Sequence, residues 1–130
     1  MRLSMNLPYA GGFQESVQKV VDLEKAGLDI VWVAEAYCYP NRRPDKQAND
    51  RIVIFEDTDG DGHFDKRTVF MEGLNLVSGL EVGFGGVWIG AAPYLLFVPV
   101  RPGEDKPAGP PQVLLDGWGY QDTHETLNTF

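Results

Sequence analysis

The sequence has few of the residues that build zinc sites or disulfide frameworks: one cysteine, Cys38, and two histidines among 130 residues. A single cysteine excludes an internal disulfide, and no histidine or cysteine cluster at zinc spacing accompanies it. We therefore interpret Cys38 as a small, semi-buried side chain and not as a ligand or nucleophile.

Basic side chains are also scarce, with 11 Lys and Arg against 19 Asp and Glu and a net charge of -8. This balance argues against nucleic acid or an anionic membrane as a partner, because both are bound through basic patches. No apolar run approaches the roughly 18 residues of a membrane span, and the first thirty residues lack the apolar core of a signal peptide. As written, the chain is expected to remain in the cytoplasm.

Acidic residues are concentrated in the segment Asp57–Asp65, where carboxylates and glycines alternate. Side-chain oxygens at loop positions 1, 3, 5 and 9, a sharp glycine turn at 6 and a backbone carbonyl at 7 describe a calcium loop. The corresponding residues are Asp57, Asp59, Asp61 and Asp65 for the carboxylates, Gly62 for the turn and His63 for the carbonyl. The sequence thus predicts a calcium site.

The residues beside this loop indicate strands and not the helices of an EF-hand. Both flanks, 51–55 and 67–71, are rich in β-branched and aromatic residues, and position 12 is Thr68 where an EF-hand has a bidentate Glu. We therefore predict a β-hairpin closed by a calcium loop. The alternative is an acidic, glycine-rich turn that binds no metal, since Asp and Gly favour turns on backbone grounds alone.

An internal repeat organises most of the chain. Three segments recur in the same order. Residues 31–36 resemble 87–92, and each of these is followed by an apolar strand, 52–55 in the first unit and 95–98 in the second. Residues 68–73 resemble 112–117, which lie 44 residues further on. Short antiparallel strands at this period are typical of β-propeller blades. Trp88 and Phe97 are then expected to pack between blades.

The repeat also tests the metal interpretation. Shifting the four loop aspartates forward by the same 44 residues leads to Arg101, Gly103, Asp105 and Gly109. The second loop therefore keeps one carboxylate, so the turn itself does not require four. The three additional aspartates of the first loop favour a bound cation.

The first third of the chain follows a different pattern. Residues 1–7 alternate like a strand, Phe13 to Ala26 has helical periodicity, and Gly27 is a helix stop before the apolar run 28–33. Strand, helix and strand in this order predict a βαβ unit with parallel strands. We predict an α+β, mainly β fold: an N-terminal β-α unit, then an antiparallel meander of about seven strands, equal to about two blades of an incomplete propeller.

Residues 32–130, about three quarters of the chain, resemble the propeller of the membrane-bound dehydrogenases of planctomycete-type bacteria. The resemblance is carried by VAEAYCYPNRRP, DRIVIFEDTDGDGHFDKRTVF, GLNLVSGLEVGFGGVWIGAAPYLLFVPV and QVLLDGWGYQDTHETLN. Those proteins are similar to quinoprotein sugar dehydrogenases, which implies an exported six-bladed propeller and, in the intact parent, pyrroloquinoline quinone. The resemblance places blades at 38–74 and 79–118, with the next beginning at 119–130.

Residues 1–37 resemble the start of a luciferase-like, flavin- or deazaflavin-dependent oxidoreductase, on the text MRLSMNLPYAGGFQESVQKVVDLEKAGLDIVWVAEAY. The two resemblances overlap at residues 32–37. One hypothesis is that two unrelated coding sequences are joined there, because one βαβ unit cannot close a barrel and fewer than two blades cannot close a ring.

The resemblance to quinoprotein sugar dehydrogenases implies a catalytic base at His124, where a histidine of those enzymes accepts the proton of the substrate hydroxyl. The alternative is a hydrogen-bonded loop residue, and we expect no turnover from this chain alone. Three functions stay open: a calcium-binding propeller segment, a luciferase-like oxidoreductase, and a non-catalytic β-rich module that associates, with itself or another chain, through open sheet edges.

Overall fold

Two four-stranded sheets form the chain in the computed structural model, which describes residues 2–4, 18, 21–22, 25, 27–121 and 127. Sheet 1 consists, in spatial order, of β1 Arg2–Ser4, β2 Ile30–Glu35, β3 Asp50–Glu56 and β4 Lys66–Leu74. Sheet 2 consists of β5 Val77–Gly83, β6 Gly86–Ala91, β7 Tyr94–Pro99 and β8 Gln112–Asp116. A 3-10 helix, Asp45–Gln47, precedes β3. The predicted mainly β fold with an antiparallel meander is confirmed.

The N-terminal unit combines a parallel strand pair with a helical connection. β1 pairs in parallel with β2, with Leu3 opposite Val31, while β2 to β4 are antiparallel. Within the predicted helix the described residues, 18, 21, 22 and 25, have helical backbone. Gly27 follows with φ of +82°, as a helix stop requires. The other residues of the predicted helix lie outside the described part of the chain.

Strand pairing reproduces the sequence repeat residue by residue. Trp32 of β2 lies opposite Ile54 of β3, and Trp88 of β6 lies opposite Phe97 of β7. In the next ladder, Ile54 lies opposite Thr68 and Phe97 lies opposite Gln112. Thr68 and Gln112 are separated by the predicted 44 positions. The last three strands of the two sheets therefore share one order and one register, whereas the first pair is parallel in sheet 1 and antiparallel in sheet 2.

Both sheets also have a bulge at the equivalent place. Ile52 pairs with Met71 and Val53 with Val69, which leaves Phe70 as the additional residue of β4. In sheet 2, the pairs Leu95 with Leu115 and Leu96 with Val113 leave Leu114 as the additional residue of β8. Phe70 and Leu114 are themselves 44 positions apart. A bulge shared in this way is a property of the repeat and not a local irregularity.

The core lies between the two sheets. Side chains alternate along a strand, so one face of each sheet turns inward. Trp32 is fully buried on the inner face of sheet 1, and its ring meets that of Phe70 edge-on at 4.9 Å between centroids. The inner face of sheet 2 is aliphatic, and with sheet 1 it forms one cluster that includes Val87, Ile89, Leu96 and Val98.

A buried carboxylate ties the sheets together at one end. Asp50, at the start of β3, is 0% exposed. Its Oδ1 accepts a hydrogen bond of 2.6 Å from the Cys38 N–H, and its Oδ2 accepts one of 2.9 Å from the Val77 N–H at the start of β5. One side chain therefore satisfies two buried backbone donors, one of them in the other sheet.

The connection between β5 and β6 is a two-residue hairpin. Phe84 and Gly85 have φ of 52° and 82°, the left-handed values that a type I′ turn needs at both positions. Residues 83–86 thus form a tight connection between the two strands. Phe84 is 95% exposed at the tip of this turn. Among the described residues, no helix is long and apolar enough to span a membrane.

Candidate metal centre

The aspartate loop connects two strands that are paired along their length. β3 ends at Glu56 and β4 begins at Lys66, and these two residues lie opposite each other in the ladder. The loop is closed by the Asp65 N–H, which donates to the Glu56 carbonyl at 3.0 Å. Strands flank the loop on both sides, as the β-branched flanks predict, and helices do not.

Three of the predicted ligands are brought together. Asp57, Asp59 and Asp61 each have a carboxylate oxygen within 4.8 Å of the others. Two oxygens bound to one calcium ion at about 2.4 Å are at most about 4.8 Å apart, so this spacing suits a single shared cation. Asp57 is half-buried, whereas Asp59 and Asp61 are exposed.

Asp57 also holds the loop through its backbone. Its Oδ2 accepts a hydrogen bond of 2.9 Å from the Gly62 N–H and its Oδ1 accepts one of 2.7 Å from the Gly60 N–H. The hydrogen bond from Gly62 is the largest cause that lowers the pKa of Asp57; burial opposes it, and the hydrogen bonds from Gly60 and Asp61 lower the pKa further. The carboxylate is therefore ionised, as a calcium ligand must be.

Asp59 and Asp61 each use one oxygen in the loop. The Asp59 Oδ1 accepts the Asp61 N–H at 3.2 Å, and the Asp61 Oδ1 accepts the His63 N–H at 2.9 Å. Each carboxylate has two oxygens and about four lone-pair sites, so these bonds leave capacity for a cation. That the His63 carbonyl is a ligand stays a prediction.

Asp65 stands apart from the group of three. Its Oδ2 accepts the Thr58 hydroxyl at 2.6 Å and its Oδ1 accepts the Thr58 N–H at 3.0 Å. These two hydrogen bonds, that of the side chain first, lower the pKa of Asp65. Direct coordination by Asp65 stays a prediction, and the group of three carboxylates does not include it.

A shallow depression opens beside the carboxylates. Its lining residues come from the loop and from the turn before β2: Lys25, Gly27, Asp29, Asp57, Gly60, Asp61, Gly62 and His63. Lys25, Gly27 and Asp29 come from the segment just before β2. The site therefore lies against the N-terminal unit and not on an isolated hairpin.

The equivalent loop of sheet 2 is organised by backbone groups. The Glu104 N–H donates to the Arg101 carbonyl at 3.0 Å, and the Ala108 N–H donates to the Pro99 carbonyl at 2.8 Å. Asp105 is the one carboxylate that the 44-residue shift aligns with a predicted ligand. The groups of three or more metal-ligating side chains found in the described residues do not include it.

Sequence reasoning did not identify the ion pair that supports the base of the aspartate loop. The Lys66 ammonium lies 2.6 Å from the Glu56 carboxylate, and this hydrogen bond is the largest cause that raises the pKa of Lys66. Nearby Asp105 raises it further, so Lys66 lies in the field of the second loop as well as the first. The sequence did contain a signal for this ion pair, because Glu56 and Lys66 carry opposite charges at the two positions that close the predicted hairpin.

His124, which the quinoprotein resemblance implies as a catalytic base, lies outside the described residues. Cys38 is buried, with its Sγ 3.4 Å from the Asn49 Oδ1. Cys38 belongs to no metal-ligating group of three or more side chains among the residues that the structure describes.

Comparison with known proteins gives one match. A family model described as "Domain of unknown function (DUF7133)" matches residues 15–130. No curated protein and no solved structure matches the chain. The matched range contains both sheets from β2 onwards and includes residues 32–37. The match includes more than half of the chain, and the protein therefore belongs to the DUF7133 family.

Proposed function

We propose that this chain is a calcium-binding segment of a β-propeller related to the quinoprotein-like dehydrogenases, and that the ion has a structural role. The group formed by Asp57, Asp59 and Asp61 is the observation that carries the metal assignment. Their carboxylates are hard oxygen ligands in the order that a calcium loop uses, between strands that fix both ends of the loop.

Two further observations support a propeller segment. The last three strands of each sheet repeat one order, one register and one bulge, as blades do. They also pack face to face through one shared apolar core. A hairpin loop that binds calcium at the end of such a sheet would stabilise the blade without taking part in catalysis.

We assign no redox step to the described residues. Pyrroloquinoline quinone belongs to the proposed parent family only, and the base that the resemblance implies, His124, lies outside the described part of the chain. The chemistry that the described site supports is cation binding, for which ionised Asp57 is already preorganised by the Gly60 and Gly62 amides.

Calcium titration of the chelator-treated full chain by calorimetry tests the proposal. We expect one site, and we expect Asp57→Ala and Asp61→Ala each to weaken it by about a hundredfold or more, because each removes a charged ligand. Asp105→Asn is the matched control, since Asp105 is the repeat equivalent of Asp61, and it should bind as the parent does. A flat titration of the folded parent chain would exclude the calcium site.

The luciferase-like alternative has one supporting observation. β1 pairs in parallel with β2, and the chain between them contains residues with helical backbone. Binding of reduced flavin or deazaflavin by the full chain would favour that candidate. The third candidate, a β-rich interaction module, is favoured by the exposed apolar side chains of Val113, Leu114 and Leu115 on the edge strand β8.

A further inference from the structure

The first strand of each sheet breaks the repeat. In sheet 2, β5 runs antiparallel to β6 and pairs with it from Val77 to Gly83. In sheet 1, β1 lies at the equivalent edge of β2, runs parallel to it, and pairs with Ile30, Val31 and Trp32. We call this edge of β2 the β1 slot. Parallel pairs are slightly less stable per residue than antiparallel pairs, so the described pairs of β1 are both fewer and weaker than those of β5.

A buried donor beside the β1 slot has no acceptor. Trp32 is fully buried, and its Nε1 has no hydrogen-bond partner among the residues that the structure describes. Its repeat equivalent, Trp88, donates from Nε1 to the Gly83 carbonyl at 3.3 Å. Gly83 belongs to β5, so in sheet 2 the antiparallel first strand supplies the acceptor. A buried indole N–H usually has a partner, and leaving one unpaired is destabilising.

The direction of β1 accounts for the unpaired donor. In sheet 2 the accepting Gly83 lies across from the residue two positions before Trp88. In sheet 1 the backbone at that register position is Arg2, which lies opposite Ile30, two positions before Trp32. Because β1 runs the other way, its carbonyl groups follow the slanted ladder of a parallel pair. Arg2 therefore has the register position of Gly83 without its hydrogen bond.

We propose that an extended segment of another chain replaces β1 and adds to β2 as an antiparallel strand, as β5 adds to β6. Such a strand presents a backbone carbonyl where Gly83 presents one in sheet 2, and this carbonyl accepts the Trp32 N–H. Main-chain hydrogen bonds supply the affinity in this mode of recognition, and alternate side chains supply the specificity. The strand addition does not depend on the metal site.

The position of Trp32 defines what the incoming segment must look like. Trp88 lies opposite the exposed Glu81, whereas Trp32 belongs to the apolar cluster between the sheets. The residue of the incoming strand opposite Trp32 must therefore be uncharged, because a carboxylate there would be buried without a partner. The partner is thus an extended segment like β5 in length and apolar character, but without an acidic residue at its centre.

A synthetic peptide with the sequence of residues 77–83 and the change Glu81→Ala is the probe, titrated into the ¹⁵N-labelled full chain. We expect a Kd of about 10 to 500 μM and a downfield shift of the Trp32 indole N–H as it gains an acceptor. Cross-relaxation between the peptide backbone and residues 30–34 should show antiparallel order. The same peptide with Glu81→Pro is the matched control and should not bind, because proline has no N–H for the ladder.

A variant with a weakened β1 sharpens this test. Leu3 lies at the centre of β1, opposite Val31, and Leu3→Pro removes a backbone N–H from the strand. We expect this variant to bind the Glu81→Ala peptide about tenfold or more tightly than the parent chain does, because the peptide no longer competes with β1. The amide spectrum shows whether the variant is folded, and the parent titration decides alone if it is not.

The strand addition is disproved if the folded parent chain does not bind the Glu81→Ala peptide at concentrations up to about 1 mM, or if the Glu81→Pro peptide binds equally well. It is also disproved if the shifts are confined to residues 112–116, since the peptide then pairs with the edge strand β8. The titration is run with chelator present, so its outcome is separate from that of the calcium site.

Discussion

The hairpin loops that follow β3 and β7 occupy the same place in two equivalent sheets, but different groups hold them. In the first loop, the carboxylates of Asp57 and Asp65 accept the backbone and hydroxyl donors. In the second, the carbonyls of Pro99 and Arg101 accept backbone N–H groups. A turn at this position therefore does not need aspartate, and the clustered carboxylates of the first loop have a further use, which we propose is calcium.

A second difference lies at the opposite end of the sheets. The strand β3 begins with Asp50, whose carboxylate binds the Cys38 and Val77 amides. The residue at the equivalent position before β7 is Pro93, which has no side-chain acceptor and whose carbonyl accepts the Gly117 and Trp118 amides. Side-chain carboxylates thus accept the hydrogen bonds at both ends of sheet 1, whereas at both ends of sheet 2 these hydrogen bonds are mainly between backbone groups.

The largest expected effect follows from removing the Asp50 tie. Asp50→Ala leaves two buried backbone donors without acceptors, and an unsatisfied buried donor costs about 1–3 kcal/mol, so we expect a loss of roughly 3–5 kcal/mol in the free energy of unfolding. Urea denaturation measures this loss. Asp45→Ala, at an exposed aspartate of the same segment, is the control and should change stability little. Equal midpoints for both variants would show that sheet 1 does not depend on the tie.

A smaller loss of stability is expected at position 86, where sheet 2 leaves less space for a side chain than sheet 1 does. Position 86 is glycine, whereas its repeat equivalent in sheet 1 is Ile30. A Cβ at Gly86 would lie 2.5 Å from the Phe97 ring and 2.5 Å from the Val98 carbonyl oxygen. We expect Gly86→Ala to destabilise the fold by about 1–3 kcal/mol, because the backbone oxygen cannot move aside.

Gly83→Ala is the control for this substitution. Gly83 lies directly opposite Gly86 in the ladder, and a Cβ there would meet nothing within 4 Å. Thermal unfolding of the two variants should therefore separate them. If Gly86→Ala unfolded at the temperature of Gly83→Ala, the close approach of Phe97 to β6 would be disproved.

Much of this architecture was predictable because it follows local patterns. Alternation and β-branched residues indicated the seven strands from β2 to β8, and similarity between 68–73 and 112–117 gave the repeat that pairing confirms. The grouping of Asp57, Asp59 and Asp61 also followed from their spacing within one loop.

The features that the sequence did not reveal depend on contacts between distant residues. The Asp50 carboxylate accepts a hydrogen bond from the Val77 N–H, 27 positions further on, and nothing near Asp50 in the sequence indicates that partner. The attachment of Asp65 to Thr58 competes with its predicted direct role as a ligand, and spacing alone cannot decide between two acceptable uses of one carboxylate. The ion pair between Glu35 of β2 and Arg67 of β4 likewise joins residues 32 positions apart, across the intervening strand β3.

The smallest expected effect separates the two loops by their response to acid. The pKa of Asp57 is lowered from its ordinary value of 3.8 by hydrogen bonds from backbone amides, and that of Asp65 is lowered by Thr58. A carboxyl group whose pKa is depressed in the folded state stabilises that state above its unfolded pKa, and the stabilisation is lost as pH falls through the folded pKa. With chelator present, the first loop should therefore loosen below pH 3.8, whereas in the second loop the Glu104 and Ala108 N–H groups donate to carbonyl oxygens, which do not titrate.

Amide resonances recorded by NMR during an acid titration follow each loop separately. The Gly60 and Gly62 amides should shift with a midpoint below 3.8, because Asp57 loses its charge as an acceptor there, and Asp57→Asn should flatten both curves. The Glu104 and Ala108 amides donate to carbonyl oxygens that do not titrate, so they are the internal reference. If all four amides shifted together, acid would be acting on the whole fold, and the difference in chemistry between the two loops would have no consequence for their stability.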